Sequence, residues 1–201
     1  MRLGGEVLVD RVWLGEGQGR WLRSVVLAVA GSLLVAVCAK IKVDIGPVPL
    51  TMQTLAVLMI GAAYGARLGM ATMLLYLAEG VAGLPVFAGP SLFGLGYLLG
   101  PTGGYLVGFP LAAGLVGFLA ERGFDRSFPR MLMATLLGAA LIHVPGVLWL
   151  STFFGIEKAV AVGLMPFIIG DVIKAALAAL AFPIAWRVIE RFRGDAGQPP
   201  R

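Results

Sequence analysis

Charge, cysteine and histidine are scarce in this chain. Of its 201 residues 13% are charged and 59% hydrophobic, and it has one cysteine and one histidine. The lone Cys38 excludes an internal disulfide and a cysteine-based zinc cluster. No H-E-x-x-H, G-x-S-x-G or C-x-x-C occurs, so the familiar hydrolase and redox sites are missing. There is no G-x-x-x-x-G-K-[ST] either, and the chain cannot hydrolyse ATP through a P-loop. A mean hydropathy of +0.91 is beyond any water-soluble domain of this length and describes a polytopic membrane protein. Its 29 glycines and 12 prolines point to closely packed and interrupted helices. The net charge of +5 sits at the two ends and in short loops, without the aromatic interleaving of a nucleic-acid surface; no nucleic acid is expected as a partner, and the charges read as anchors at a membrane surface.

The length allows six spans and little else, an all-α fold. The first 20 residues read as a polar N-terminal segment, residues 21–189 as the six-helix domain, and residues 190–201 as a polar tail. The first apolar run covers residues 21–39 and is read as retained, because Val37 stands where a lipoprotein signal ending in VAVC would need a small residue. Ala28, Ser32 and Ala36 recur there at four-residue spacing, a seam for internal packing or for a docking partner. The second span covers residues 50–64 and opens with Thr51, Gln53 and Thr54. Gly65, Ala66 and Arg67 form a tight return. The third span covers residues 68–83 and carries Glu79 near its end, read as an interfacial charge facing water. Residues 84–101 are too rich in glycine and proline for one helix and form a candidate lid or pocket wall, with Phe87. The fourth span covers residues 101–120 and the fifth residues 131–154, where the lone His143 beside Pro145 is expected to satisfy a backbone group.

The sixth span holds the anomaly. Residues 165–186, MPFIIGDVIKAALAALAFPIAW, would make a helix of roughly 33 Å, about the thickness of a hydrocarbon core, yet they contain Asp171 and Lys174. Charge inside a bilayer is costly and points to a functional site. At i and i+3 the two share a face, so they turn together into protein or a pocket; the bland alternative is an ion pair that pins the helix in the bundle. Arg20, Arg23, Arg67, Arg122, Arg126, Arg130 and Arg187 fall on one side of the spans with the terminal arginines. Lys40, Lys42 and Lys158 fall on the other, which places both termini in the cytoplasm. With this topology Gln53, Tyr105, Asp171 and Lys174 lie at one outward-facing level, closed by the loop with Phe87. Apolar walls with few placed hydrogen-bonding groups are the mark of a small-molecule pocket. Lys174 would meet an anionic end and Asp171 N–H donors, while Tyr105 and Phe87 could be packing and Thr51 and Gln53 could cap their helix.

GPVPLTMQTLAVLMIGAAYGARLG, GLPVFAGP, LGPTGGYLVGF and PFIIGDVIKAALA together resemble the BioY family, the substrate-binding S components of energy-coupling-factor (ECF) biotin transporters. The resemblance spans residues 28–185. It implies a six-helix S component in the cell membrane of a prokaryote that captures biotin from outside. Its partners would be an ECF transmembrane coupling protein and two ABC-type ATPases, in keeping with the missing P-loop; no cofactor or catalytic role is implied. It also implies biotin contacts for Asp171 and Lys174, and docking of the coupling protein on Ala28, Ser32 and Ala36. Some relatives use an Asn near the end of the third span and an Arg after the FAG segment. Here Glu79 stands in the first region and residues 90–100 hold no Arg, leaving Lys174 as the cation for a carboxylate. Two other readings stay open from the residues themselves: an S component for another vitamin, and a membrane-embedded enzyme acting on lipid through Asp171 or Glu79.

Overall fold

The computed structural model describes residues 7–12, 19–89 and 94–195. Its helices in chain order are α1 (Leu8–Val12), α2 (Gly19–Lys40), α3 (Gln53–Val81), α4 (Leu95–Leu98), α5 (Gly103–Ala120), α6 (Phe128–Phe154), α7 (Ile156–Gly163) and α8 (Met165–Asp195). Five of these are long and apolar enough to cross a membrane. The sixth span is contained in α3, which reverses at Gly65, where φ is 81° and ψ 175°. Only glycine adopts that backbone freely. The limbs 53–64 and 66–81 fold back on each other so closely that a β-carbon on Gly69 would stand 3.0 Å from the Gly61 Cα. The expected return at Gly65 is therefore present, and the fold is an all-α bundle of six crossings.

Several boundaries differ from the sequence reading. The second span starts at Gln53 rather than residue 50, because Leu50–Thr51 (β2) pairs antiparallel with Lys42–Val43 (β1) in a two-residue ladder. Residues 156–163, which the sequence reading left unassigned, form the separate helix α7 after a break at Gly155, at φ 78°. Inside the segment read as a polar leader, α1 packs against α3 and α8, and Val7 is buried.

The helices pack in sequence, α2 on α3, α3 on α5, α5 on α6, and α6 on both α7 and α8. Close approach at the α3–α5 crossing rests on small residues. A β-carbon on Gly61 would meet the Ala113 carbonyl oxygen at 2.6 Å, and one on Gly117 would meet the backbone of Gly65 and Ala66. The polarity is inverted relative to a soluble protein. Trp21 and Ile169 are 74% and 75% exposed on the outside, while Asp171 and Lys174 are 6% and 7% exposed, the distribution expected when lipid is the solvent.

At the end of the bundle where α2 begins and α8 ends, Asp125 in the turn between α5 and α6 is fully buried and accepts a 2.6 Å hydrogen bond from Trp186 Nε1. Arg126 stacks over the Trp186 ring at 3.3 Å and sits 3.8 Å from Asp125 Oδ1. Burial pushes the Asp125 carboxyl above its ordinary range, with the Trp186 bond and Arg126 pulling the other way. The acid ties α8 to this turn, so Asp125→Ala, which strands the indole N–H, is expected to cost about 2 kcal/mol; a thermal unfolding curve in detergent measures it.

Candidate substrate-binding site

The site is assembled at the opposite end, from the start of α3, the start of α5, the middle of α6 and the first turns of α8. In α8 the buried positions Phe167, Asp171, Lys174, Ala178, Phe182 and Trp186 recur at three- and four-residue steps. The amphipathic stripe that packs the helix thus carries its two charges inward. Lys174 Nζ donates to Asp171 Oδ1 at 3.1 Å, to Thr54 Oγ1 at 2.9 Å and to the Thr51 carbonyl at 2.9 Å. Thr54 Oγ1 in turn donates to Asp171 Oδ1 at 3.1 Å. All three ammonium hydrogens are engaged, so a ligand anion at Lys174 takes the place of one of these acceptors.

The other carboxylate oxygen is not satisfied in this way. Asp171 Oδ2 lies 3.2 Å from His143 Nε2, but neither atom makes a hydrogen bond among the described residues and both are buried. His143 Nδ1 is 2.9 Å from the Ala139 carbonyl, a contact in which only the ring nitrogen can donate. The expected backbone partner is therefore present. Buried polar atoms left without a partner call for one. Edge-on packing of His143 against Tyr105 at 5.8 Å and Phe167 at 5.6 Å holds the ring there.

A cavity of about 40 Å³ adjoins this cluster, lined by Thr51, Gln53, Thr54, His143 and Lys174 on its polar side and by Val48, Ala88, Tyr97, Tyr105, Phe109 and Phe167 among its apolar walls. Of the residues singled out in the sequence, Thr51, Gln53, Tyr105 and Lys174 border it directly, and Asp171 stands behind Lys174. Thr51 also does what its capping alternative required, since its Oγ1 accepts from the Gln53 N–H at 3.2 Å. Gln53 Nε2 donates to Tyr76 OH at 2.7 Å, and Tyr76 OH donates to the Val86 carbonyl at 3.0 Å. Tyr105 is held in a slot between Gly146 and Gly163, whose β-carbons would overlap its ring and hydroxyl, and its OH donates to the Gly163 carbonyl at 2.7 Å.

Four expectations change. Phe87 does not border the cavity; it stacks on Tyr97 at 4.9 Å, and Tyr97 with Ala88 supplies the wall. Glu79 does not face water: its Oε1 accepts from Ser32 Oγ at 3.0 Å and its Oε2 is buried. Ser32 is accordingly fully buried inside the chain, so the seam packs internally at that position, with Ala28 and Ala36 half-buried beside it. Residues 84–101 are a pocket wall in part, containing the one-turn helix α4 rather than irregular chain alone, and residues 90–93 of that stretch lie outside the described residues. The sequence reading named Thr54 and His143 without assigning them to the site, and did not single out Tyr97 or Phe167. Of these, Thr54 carried a usable signal, being on the same face as the start of the second span, and the lone histidine in an apolar helix was a second.

Comparison with known proteins converges on one family. The BioY family matches residues 11–191. A protein of Pyrococcus horikoshii named as a probable biotin transporter BioY is 41% identical over 162 residues, covering 81% of this chain and 91% of its own. The biotin transporter BioY of Thermotoga maritima is 38% identical over 160 residues, covering 79% and 93%. Among solved structures, the S-component for biotin from an ECF-type ABC transporter superposes with a TM-score of 0.72 at 25% identity, covering 90% of this chain and 95% of that one. A match over nearly the whole chain, relatives of near-equal length and a shared fold make this multi-pass membrane protein a member of the BioY family.

Proposed function

We propose that the protein is the biotin-binding S component of an ECF-type transporter, taking biotin from outside the cell and delivering it inward with an ATP-driven module. The observation that carries this reading is the buried cluster of Asp171, Lys174, Thr54 and His143 beside an aromatic-walled cavity. Biotin offers such a cluster a carboxylate to exchange into the Lys174 shell, and ureido N–H donors for the unpartnered Asp171 Oδ2. Its apolar thioether ring suits Tyr97, Tyr105 and Phe167. The role is binding rather than catalysis, with Asp171 and Lys174 as contacts and not as acid and base.

The arginine distribution favours cytoplasmic termini in a prokaryotic cell membrane, which puts the cavity end outside. The module would comprise the coupling protein and two ABC-type ATPases. Its docking surface on α2 would use the lipid-facing side next to Ala28 and Ala36, where Leu33 and Leu34 are exposed, with Ser32 excluded by its burial. Titration of the purified chain with labelled biotin tests the ligand. Saturable binding of one biotin per chain, undisturbed by excess thiamine or riboflavin, is expected; displacement by either vitamin would reassign the substrate.

A further inference from the structure

The wall segment after α3 is held by two successive carbonyls, each taken by a side chain from a different helix. Among the described residues, the main chain of residues 84–89 makes two backbone bonds as donor, Leu84 N–H to the Glu79 carbonyl at 3.1 Å and Val86 N–H to the Leu84 carbonyl at 2.8 Å. The Val86 carbonyl accepts from Tyr76 OH at 3.0 Å. The next carbonyl, of Phe87, accepts from Lys40 Nζ at 2.7 Å. Lys40 is the last residue of α2, and it reaches across to a segment with which α2 has no chain continuity.

What these two bonds hold is the cavity wall. Between the anchored carbonyls and the pocket lie the Phe87 ring, packed face to face on Tyr97 at an interplanar angle of 17° and pressed against Gly80, and then Ala88, which borders the cavity with Tyr97. The Tyr76 tie is built on Gln53, itself a cavity residue, so one anchor comes from inside the pocket. The Lys40 tie is independent of the pocket and is charge-assisted, the stronger kind of hydrogen bond. About two turns earlier in the same helix, Ser32 bonds Glu79 at 3.0 Å, so α2 grips both the end of α3 and the segment that follows.

We propose that Lys40 is a positioning residue for substrate retention: its ammonium holds the Phe87 carbonyl, keeps the Phe87–Tyr97 stack seated, and so slows escape of the bound molecule without touching it. This rests on the biotin reading for the identity of that molecule, but the hold on the segment does not. Two measurements on the full chain in detergent separate them. Hydrogen exchange at the Leu84 and Val86 amides, with no biotin present, is expected to be about tenfold faster in Lys40→Met, which keeps the aliphatic stem and loses the donor, and to return toward wild type in Lys40→Arg. Labelled-biotin dissociation is expected to accelerate about tenfold in Lys40→Met, with the association rate changed less than about twofold and with recovery in Lys40→Arg. Unchanged exchange in Lys40→Met would overturn the hold. Faster exchange with an unchanged dissociation rate would overturn its role in retention. A wild-type chain that binds no biotin would remove the biotin reading and the retention role with it, while the exchange result would still decide whether Lys40 holds the segment.

Discussion

Replacing Lys174 by alanine is expected to weaken biotin binding at least tenfold, about 1.4 kcal/mol, and to destabilise the fold at the same time. The two effects have different origins. Lys174 is the cation available to a carboxylate in the cavity wall, so its loss removes a charge-assisted contact with ligand. It is also a partner of Asp171 in a setting where the acid is 6% exposed. An acid stranded there costs roughly 3–5 kcal/mol. The double variant Asp171→Asn with Lys174→Ala separates them: neutralising the stranded acid should recover most of the stability, read as the unfolding midpoint, and leave biotin binding impaired. Recovery of binding along with stability would mean that the pair serves only to pin α8, the bland alternative that its i, i+3 spacing always allowed.

Gly61→Val, away from the pocket, is expected to be strongly destabilising, costing about 3 kcal/mol or more. Its β-carbon would lie 2.6 Å from the Ala113 carbonyl oxygen and 2.8 Å from the Ala113 Cα. Those are backbone atoms of α5, and they cannot swing aside as a side-chain tip would. Relief requires parting α3 from α5, and α5 is the helix on which Tyr105 is mounted. Gly46→Ala provides the contrast, since a β-carbon there meets nothing within 4 Å; its unfolding midpoint should match the unmodified chain, while that of Gly61→Val falls or the variant fails to accumulate.

The sequence carried the bundle and the two charges at its heart because each is signalled locally. Apolar runs of bilayer length mark the spans, the Gly-Ala-Arg return marks the reversal at Gly65, and an acid and a base three residues apart in an apolar helix share a face. What stayed illegible depends on which way a residue faces in three dimensions. Glu79 near the end of a span looks like a charge seeking water, and only the packing of α2 on α3 turns it toward Ser32. Ser32 looks like part of an open seam for the same reason. Phe87 does not reach the cavity because α4 sets Tyr97 against its ring, and Tyr97 lines the wall instead; a one-turn helix in a Gly-rich stretch leaves no periodic trace. His143 is expected to have a backbone partner and has one at Ala139; the closeness of its second nitrogen to Asp171 is set by the α6–α8 crossing and has no local signature. The resemblance to BioY supplied the ligand, which no spacing in the chain encodes.

The measurement that bears most directly on the account is the ratio of dissociation constants for biotin and biotinamide, its uncharged amide, taken in the wild-type chain and in Lys174→Ala. If the ammonium that now bonds Thr51, Thr54 and Asp171 exchanges one of them for the ligand carboxylate, the wild type should prefer biotin by at least about tenfold and Lys174→Ala should lose that preference. An equal preference in both proteins would contradict the account, because the carboxylate would then be recognised by some group other than Lys174.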